Sequence, residues 1–211
     1  LIGRLLESRS TDGLKVKVVY DEKNRVAQKQ YRVDGTGHQT KYLYGEVSKQ
    51  QKPGLEYGVQ VDGKTCIEYA YDLLGRCKKK TQIYPSGKKK EITYTYVQGI
   101  KEGTTTALVG TITENGKETA YTYDGRGNIL EICTKALDTG KVTDHMLYTY
   151  NGMNQVIREE DAVRGTTYTY TYDLGGNLLE NKKYDQVNGV EELRGTDTYT
   201  YNSDWKDQLT S

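Results

Sequence analysis

Few residues in this sequence could carry out chemistry, and they are scattered along the chain. The only histidines, His38 and His145, lie in polar segments and are interpreted as loop or strand-face residues. The cysteines, Cys66, Cys77 and Cys133, are odd in number and show no CxxC spacing, so they favour neither a disulfide framework nor a zinc site. We therefore predict no catalytic residues, no cofactor site and no metal site.

Acidic and amide residues at recurring positions form a second group of candidates: Asp72, Asp124, Asn151 and Asp173. Calcium takes about six to eight oxygen ligands gathered at one point. One carboxylate or amide per position cannot supply that number, so these residues are predicted to act in chain turns.

Two further motifs also have structural interpretations. The glycine-rich stretch Gly125-Arg126-Gly127-Asn128 is predicted to be a hairpin turn, because no helix follows it to complete a phosphate site. The basic runs at 78–80 and 88–90 are interpreted as solvated strand and loop ends. A local patch for anions or acidic glycans is the alternative for these lysines.

The composition argues against nucleic-acid binding and against association with membranes. The 211 residues include 30 Lys and Arg against 29 Asp and Glu, so the net charge is +1. A balanced chain lacks the basic character typical of nucleic-acid or anionic-membrane binding. The sequence contains no run of about 18 apolar residues, which is the length that would predict a membrane span. The first residues do not resemble a signal peptide, and we interpret the chain as a segment of a longer protein.

The dominant feature is a repeat built on tyrosine, of which the chain has 20, while it has no Phe and one Trp. The second Tyr of a Tyr-x-Tyr motif recurs at positions 71, 96, 123, 150, 172 and 201, a mean spacing of 26 residues. Weaker copies occur at Tyr20, Tyr42 and Tyr94. The strong pairs are Tyr69 with Tyr71, Tyr121 with Tyr123, Tyr148 with Tyr150, Tyr170 with Tyr172, and Tyr199 with Tyr201.

Each repeat predicts a β-hairpin. Tyr-Thr-Tyr has the period of a strand, which places both tyrosines on one face. The following Asp-x-x-Gly is typical of a type I turn, and the glycine then takes the left-handed conformation that makes a G1 bulge. We therefore predict positive φ at Gly75, Gly127 and Gly176.

This turn geometry also predicts the register of the strands. The second Tyr should pair with the residue two positions after the glycine: Tyr71 with Cys77, Tyr123 with Ile129, and Tyr172 with Leu178. The same register places Cys66 five residue positions from Cys77, too far for a disulfide. The fold class predicted is all-β, with tandem antiparallel hairpins that form a twisted or spiralling continuous sheet and little or no helix.

The motif Tyr-x-Tyr-Asp-x-x-Gly-Asn/Arg-Leu, repeated at this spacing, resembles the YD or Rhs repeat over essentially the whole chain. The resemblance implies one array over residues 1–211, of about seven to eight hairpin units of roughly 26 residues, truncated at both ends. In that family the repeats coil into a β-sheet that can close into a hollow shell, as in bacterial Rhs toxins, the B and C components of insecticidal toxin complexes, and teneurins.

The resemblance also implies partners and a location. Toxin members enclose a C-terminal toxic domain, so neighbouring repeats and an enclosed toxin are the implied partners, and the implied location is secreted or on the bacterial cell surface. The Asp-Pro-x-Gly-Leu motif that ends the shell and a C-terminal toxin are not found in this sequence. Both absences fit a segment of the repeat region.

A module that binds cell-wall or host glycans is the alternative function, because tyrosine rings can stack on sugars. Hairpin repeats of that type, such as choline-binding repeats, rely on Trp, whereas this chain has only Trp205. An enzyme is the third alternative and the one least supported by the residues.

The ends of the chain lead to a prediction about association. The segment from Leu1 to Leu6 matches the second half of a repeat, and neither end shows a distinct cap. Uncapped strands expose unpaired backbone groups, so we expect edge-to-edge association at high concentration.

Overall fold

A computed structural model describes residues 3–33, 35–49, 51–205 and 207–211. Leu1 and Ile2 of the proposed initial half-repeat lie outside the described residues. The chain divides into two compact units, residues 1–94 and 95–211.

The first unit contains β1 Glu7–Arg9, β2 Lys15–Tyr20, β3 Val26–Val33, β4 Thr36–Tyr44, β5 Glu56–Val61, β6 Lys64–Tyr71, β7 Cys77–Ile83 and the first part of β8 Lys89–Gln98. The second unit contains the rest of β8, β9 Thr105–Glu114, β10 Lys117–Tyr123, β11 Ile129–Ala136, β12 Val142–Tyr150, β13 Val156–Asp161, β14 Thr166–Tyr172, β15 Leu178–Val187 and β16 Val190–Thr198. Strand order follows sequence order, and the neighbouring strands whose register is described pair antiparallel. The predicted all-β class is confirmed.

Helical structure among the described residues is limited to one 3-10 turn, Val47–Lys49. No described helix is therefore long or apolar enough to cross a membrane. The three cysteines are free, as the predicted register requires for Cys66 and Cys77.

Alternation along the strands gives each unit two different faces. In β14 the sequence TTYTYTY places Tyr170 and Tyr172 half-buried on one face, and it leaves Thr171 exposed on the other. We call the first the tyrosine face and the second the polar face. The cross-strand pairing extends the tyrosine face through Tyr20, Tyr44 and Tyr71 in the first unit, and through Tyr123, Tyr150 and Tyr172 in the second.

Neither unit, taken by itself, has a conventional hydrophobic core. Among the described residues only two apolar side chains are buried, Val18 and Val59, and the most buried side chain is that of Thr167, at 2% exposure. Cross-strand pairs and hydrogen bonds must therefore supply much of the stabilisation that a core normally gives.

Candidate functional site at the Tyr-Asp turns

The turn that follows each Tyr-x-Tyr strand is held by one carboxylate. At Asp124, Oδ1 accepts the backbone N–H groups of Arg126 and Asn128, each at 2.9 Å. Oδ2 accepts the Asn128 side-chain amide at 2.8 Å. The Gly127 N–H donates to the Asp124 carbonyl at 3.1 Å, which closes the turn. A single side chain thus satisfies three donors in a five-residue segment.

The same arrangement recurs at four other turns, which begin at Asp21, Asp72, Asn151 and Asp173. Where the fifth residue is arginine the contact is an ion pair, at 2.7 Å for Arg25 and 2.6 Å for Arg76. Asn151 accepts the same two backbone N–H groups and donates to the Gln155 side chain at 2.7 Å. The turn geometry is therefore independent of whether the first residue is charged.

The predicted backbone geometry is confirmed at the fourth turn position, where φ is +85° at Gly75, +90° at Gly127 and +94° at Gly176. Asparagine takes this position in two turns, with φ of 65° at Asn24 and 63° at Asn154. Asparagine tolerates the left-handed region better than most side chains, which explains why turns without the glycine keep the same shape.

The predicted register is also confirmed. Tyr71 pairs with Cys77, Tyr123 with Ile129, and Tyr172 with Leu178, and each pair stands next to a bulge.

Hydrogen bonding lowers the pKa of the turn carboxyls. The Asn128 side chain is the largest cause that lowers the pKa of Asp124, and the Asn177 side chain has the same role at Asp173. At Asp72 burial acts in the opposite direction, but the backbone and side-chain hydrogen bonds from Arg76 outweigh it and lower the pKa. The ionised carboxylate is thus the form that the folded turn favours.

The second tyrosine of each motif connects its hairpin to the preceding one. The Tyr172 hydroxyl donates to the carbonyl of Val156 at 2.7 Å. Val156 is itself the residue that pairs with Tyr150 beside the preceding bulge. The Tyr150 hydroxyl in turn donates at 2.8 Å to the carbonyl of Ile129, the partner of Tyr123. These two hydroxyls thus fix their hairpins against the bulge of the hairpin before.

We call this contact the tyrosine clamp. It occurs at seven tyrosines in the described residues. The other five clamps join Tyr20 to Leu5 at 3.2 Å, Tyr44 to Val26 at 3.0 Å, Tyr71 to Glu56, Tyr123 to Val109 at 2.9 Å, and Tyr201 to Leu178 at 3.0 Å.

Burial of these rings raises their pKa. Burial is the cause at Tyr172, and at Tyr71 burial, followed by the neighbouring Cys77 and Glu56, raises the pKa to about 12. A hydroxyl that keeps its proton remains a hydrogen-bond donor, so the clamp persists across the physiological range.

The first tyrosine of each motif lies on the same face but has a packing role. Tyr69 lies 6.4 Å from Tyr71 between ring centroids, and Tyr121 pairs with Ile132. Tyr148 pairs with Glu159, whose carboxylate accepts the Tyr170 hydroxyl at 3.3 Å. Burial, followed by the Glu159 charge, raises the pKa of Tyr170 to about 12. The backbone N–H of Tyr199 donates to the Leu179 carbonyl at 2.9 Å.

The other polar residues considered for a functional site do not lie together. His38 and His145 both lie on strands, and each bonds a separate carboxylate, Asp62 at 2.8 Å and Glu131 at 2.7 Å. In the part of the chain that the structure describes, no three His, Cys, Asp or Glu residues are placed to hold a metal ion. The basic runs are split between two strands, and Lys79 bonds Glu91 at 2.5 Å.

Superposition on solved structures shows that other proteins share the fold of this chain. A chain of the Photorhabdus luminescens Tc holotoxin pore superposes with a TM-score of 0.72 over 93% of this chain, at 15% sequence identity. A chain of the TcdB2-TccC3-Cdc42 complex gives 0.53 over 93%, at 14% identity. This chain has the fold of those Tc toxin chains. The likeness to toxin-complex proteins that the repeat suggested is therefore confirmed at the level of the fold.

The Tc toxin chains are much longer than this one, which covers only 11% and 14% of their lengths. No family model matches the sequence, and no curated protein matches it.

Sequence reasoning identified the strong repeats but missed part of the site. The weak copy at Tyr42 keeps its clamp through Tyr44, although Gly45 replaces the turn aspartate and a longer loop follows. A Cβ on Gly45 would lie 2.2 Å from the Lys52 carbonyl oxygen, so the loop requires glycine there. The signal that could have revealed this clamp is the second tyrosine itself, since it is present wherever the clamp is found.

Proposed function

We propose that this chain is a structural segment of a large secreted or cell-surface protein of the YD/Rhs type, where it forms part of a β-sheet wall. In that family such walls enclose a C-terminal toxin, and we extend that role to the parent protein of this chain. The likeness to the Tc toxin fold over 93% of the chain is the observation that carries the proposal.

The internal construction supports the same role. Seven tyrosines in the described residues hold their strands to an earlier segment by a clamp, and the described strands bury only two apolar side chains. Such a sheet can be extended by adding hairpins of the same type, because each unit needs only its neighbours. We therefore propose that residues 1–211 form one array of about seven to eight units, in which the tyrosines, turn Asp or Asn residues and turn glycines define the repeat.

We also propose that the segment is non-catalytic. Polar side chains are used in turns, strand pairs and clamps, and His38 and His145 lie on β4 and β12, each bonded to a separate carboxylate. Turnover in a hydrolase screen that depends on His38 or His145 would contradict this part of the proposal.

Chemical labelling of cysteines on the polar face and the tyrosine face tests whether the segment forms part of a wall. In a background without the native cysteines, Thr171→Cys places a thiol on the polar face and Lys183→Cys places one on the tyrosine face, opposite Tyr168. Both positions are exposed in the isolated chain, so a membrane-impermeant maleimide should label both there. In the intact parent protein only one position should react, because the other faces the enclosed space. Equal labelling of both positions in the parent would contradict a wall.

Glycan binding remains the second candidate function. Seven tyrosine hydroxyls in the described residues are occupied by clamps, so at those tyrosines the ring faces rather than the hydroxyls are left for a sugar. A glycan array with the isolated chain distinguishes the two candidates, since a wall segment should show no selective binding to neutral sugars.

A further inference from the structure

A groove on the polar face of the first unit carries an excess of positive charge. Its volume is about 430 Å³, and it crosses strands β2, β3 and β4. Cross-strand partners share a face, so the register places its side chains in two adjacent rows. The rows are Lys15, Arg32 and Gly37, and Lys17, Gln30 and Gln39.

Two of the cations in these rows are free for a ligand. Lys15 shares Glu7 with Arg9, at 3.1 Å and 2.7 Å. Lys17 and Arg32 form no ion pair with any residue that the structure describes, and both are exposed. At the end of the groove the Asp62 carboxylate already bonds His38 at 2.8 Å and the Gln39 backbone N–H at 2.7 Å.

The spacing of these groups suits one oxyanion. Neighbours across a strand pair stand about 5 Å apart, and neighbours two apart along a strand stand about 7 Å apart. The long side chains of Lys15, Lys17 and Arg32 can therefore reach a common point above the sheet. Gly37 adds no side chain beside Arg32, and a Cβ placed there would meet nothing within 4 Å.

Polar neutral groups complete the groove. Gln30 is exposed in the second row, and Gln39 accepts the Gln28 amide at 2.6 Å. Side-chain amides can both donate to and accept from sugar hydroxyls. The combination of a cationic centre and flanking amides matches a carbohydrate that carries a charged ester.

We propose that this groove binds a phosphate or sulfate ester group of a carbohydrate polymer, with Lys17 and Arg32 as the principal ligands. Tetrahedral oxyanions accept several charge-assisted hydrogen bonds at once, and the guanidinium presents paired donors to such oxygens. The chain as a whole has a net charge of only +1, so the groove is a local feature of the fold and not a consequence of a basic protein. This inference goes beyond the wall and does not depend on it.

Polymer binding by the full chain tests the proposal. The probes are dextran sulfate and a teichoic acid, which separate the sulfate and phosphate sources, with uncharged dextran and duplex DNA as comparisons. We expect saturable binding to at least one of the two anionic polymers at ~0.15 M salt, where long-range attraction is screened. The Lys17→Gln/Arg32→Gln variant should bind at least about tenfold more weakly, as expected for the loss of charge-assisted hydrogen bonds.

A charge-matched control makes the result specific. The variant Lys23→Gln/Lys64→Gln also removes two positive charges from exposed positions of the first unit, outside the groove, and it should retain wild-type affinity. The conservative variant Lys17→Arg should retain binding too, which guards against a loss caused by misfolding. Equal weakening in both double variants, equal affinity for duplex DNA, or no binding to either polymer would overturn the proposal.

Discussion

At the scale of single residues, the recurring hairpins depend on two hydrogen-bonding groups with different tasks. The turn Asp or Asn organises the backbone within its own hairpin, whereas the second tyrosine reaches the hairpin before it. A hydrogen bond inside one turn cannot set the spacing of neighbouring hairpins. The clamp can, because its acceptor lies in an earlier segment, which for Tyr150 and Tyr172 is the residue beside the bulge of the neighbouring hairpin.

Removing one clamp hydroxyl should weaken the sheet. Tyr172→Phe deletes the bond to the Val156 carbonyl and keeps the ring, so the free energy of unfolding should fall by about 1 kcal/mol. Tyr168→Phe is the matched control in the same strand, since no bond from its hydroxyl is recorded among the described residues. Urea unfolding of both variants checks this, and equal stability of the two would argue against the clamp.

The turn carboxylates should make the free energy of unfolding depend on pH. Because the folded pKa of Asp173 lies below its ordinary value, its contribution is complete above about pH 4 and is lost as the pH falls through the folded pKa. Asp173→Asn should therefore flatten the acid limb of the stability profile, as its amide can occupy the site that Asn151 shows.

The reverse change is the control. Asn151→Asp should add acid sensitivity at a turn that now lacks a charge. Urea midpoints measured between pH 2 and 7 give both slopes, and identical slopes in all three proteins would contradict the role of the carboxylate.

At the scale of the hairpin, the fourth turn position decides whether the strand can return in register. A left-handed residue there places the bulge beside the second tyrosine. The carbonyl of the bulge residue is then placed to accept the tyrosine hydroxyl of the next hairpin. Glycine and asparagine both meet this requirement, and both occur.

Substitution within one turn should show this dependence. Gly127→Ala forces a Cβ into the left-handed region, with φ at +90°, and should cost roughly 1–2 kcal/mol. Gly125→Ala in the same turn should be nearly neutral, because its Cβ would meet nothing within 4 Å and its φ is not positive. Gly127→Asn should recover part of the loss. Thermal unfolding compares the three, and equal losses at both glycines would show that the turn type is wrong.

The sequence predicted the turns and registers because their causes are local. Asp, Gly and the alternation of Tyr-Thr-Tyr act within a few residues, and they determine the pairing of Tyr71 with Cys77. The clamps could not be predicted in the same way, since the acceptor carbonyl of Val156 lies in another hairpin. The loop after Tyr44 was missed because Gly45 replaces the turn residue that marks the other copies. The groove around Lys17 and Arg32 depends on lateral pairing of three strands, which no repeat motif records.

At the scale of the whole molecule, few apolar side chains are fully buried. Among the described residues only Val18 and Val59 are, so the hydrophobic contribution of a closed core is small. Hydrogen bonds, turns and half-buried tyrosines supply much of the remainder.

Calorimetry should detect this. The heat capacity change of unfolding follows the apolar area exposed, and compact domains give about 12–15 cal/mol/K per residue. We expect a clearly lower value for this chain, measured by differential scanning calorimetry. A value within the usual range would mean that the chain buries far more apolar surface in solution than its fold shows.

We propose that these hairpins are a continuous stretch of a β-sheet wall in a larger protein, and an electron cryomicroscopy map of the intact parent protein would show whether they are. In a wall, β1 and β16 should both pair with flanking strands, and one face of the sheet should border an enclosed volume. A map in which this segment stands apart as a separate module, with water on both faces and unpaired edges, would rule the wall out.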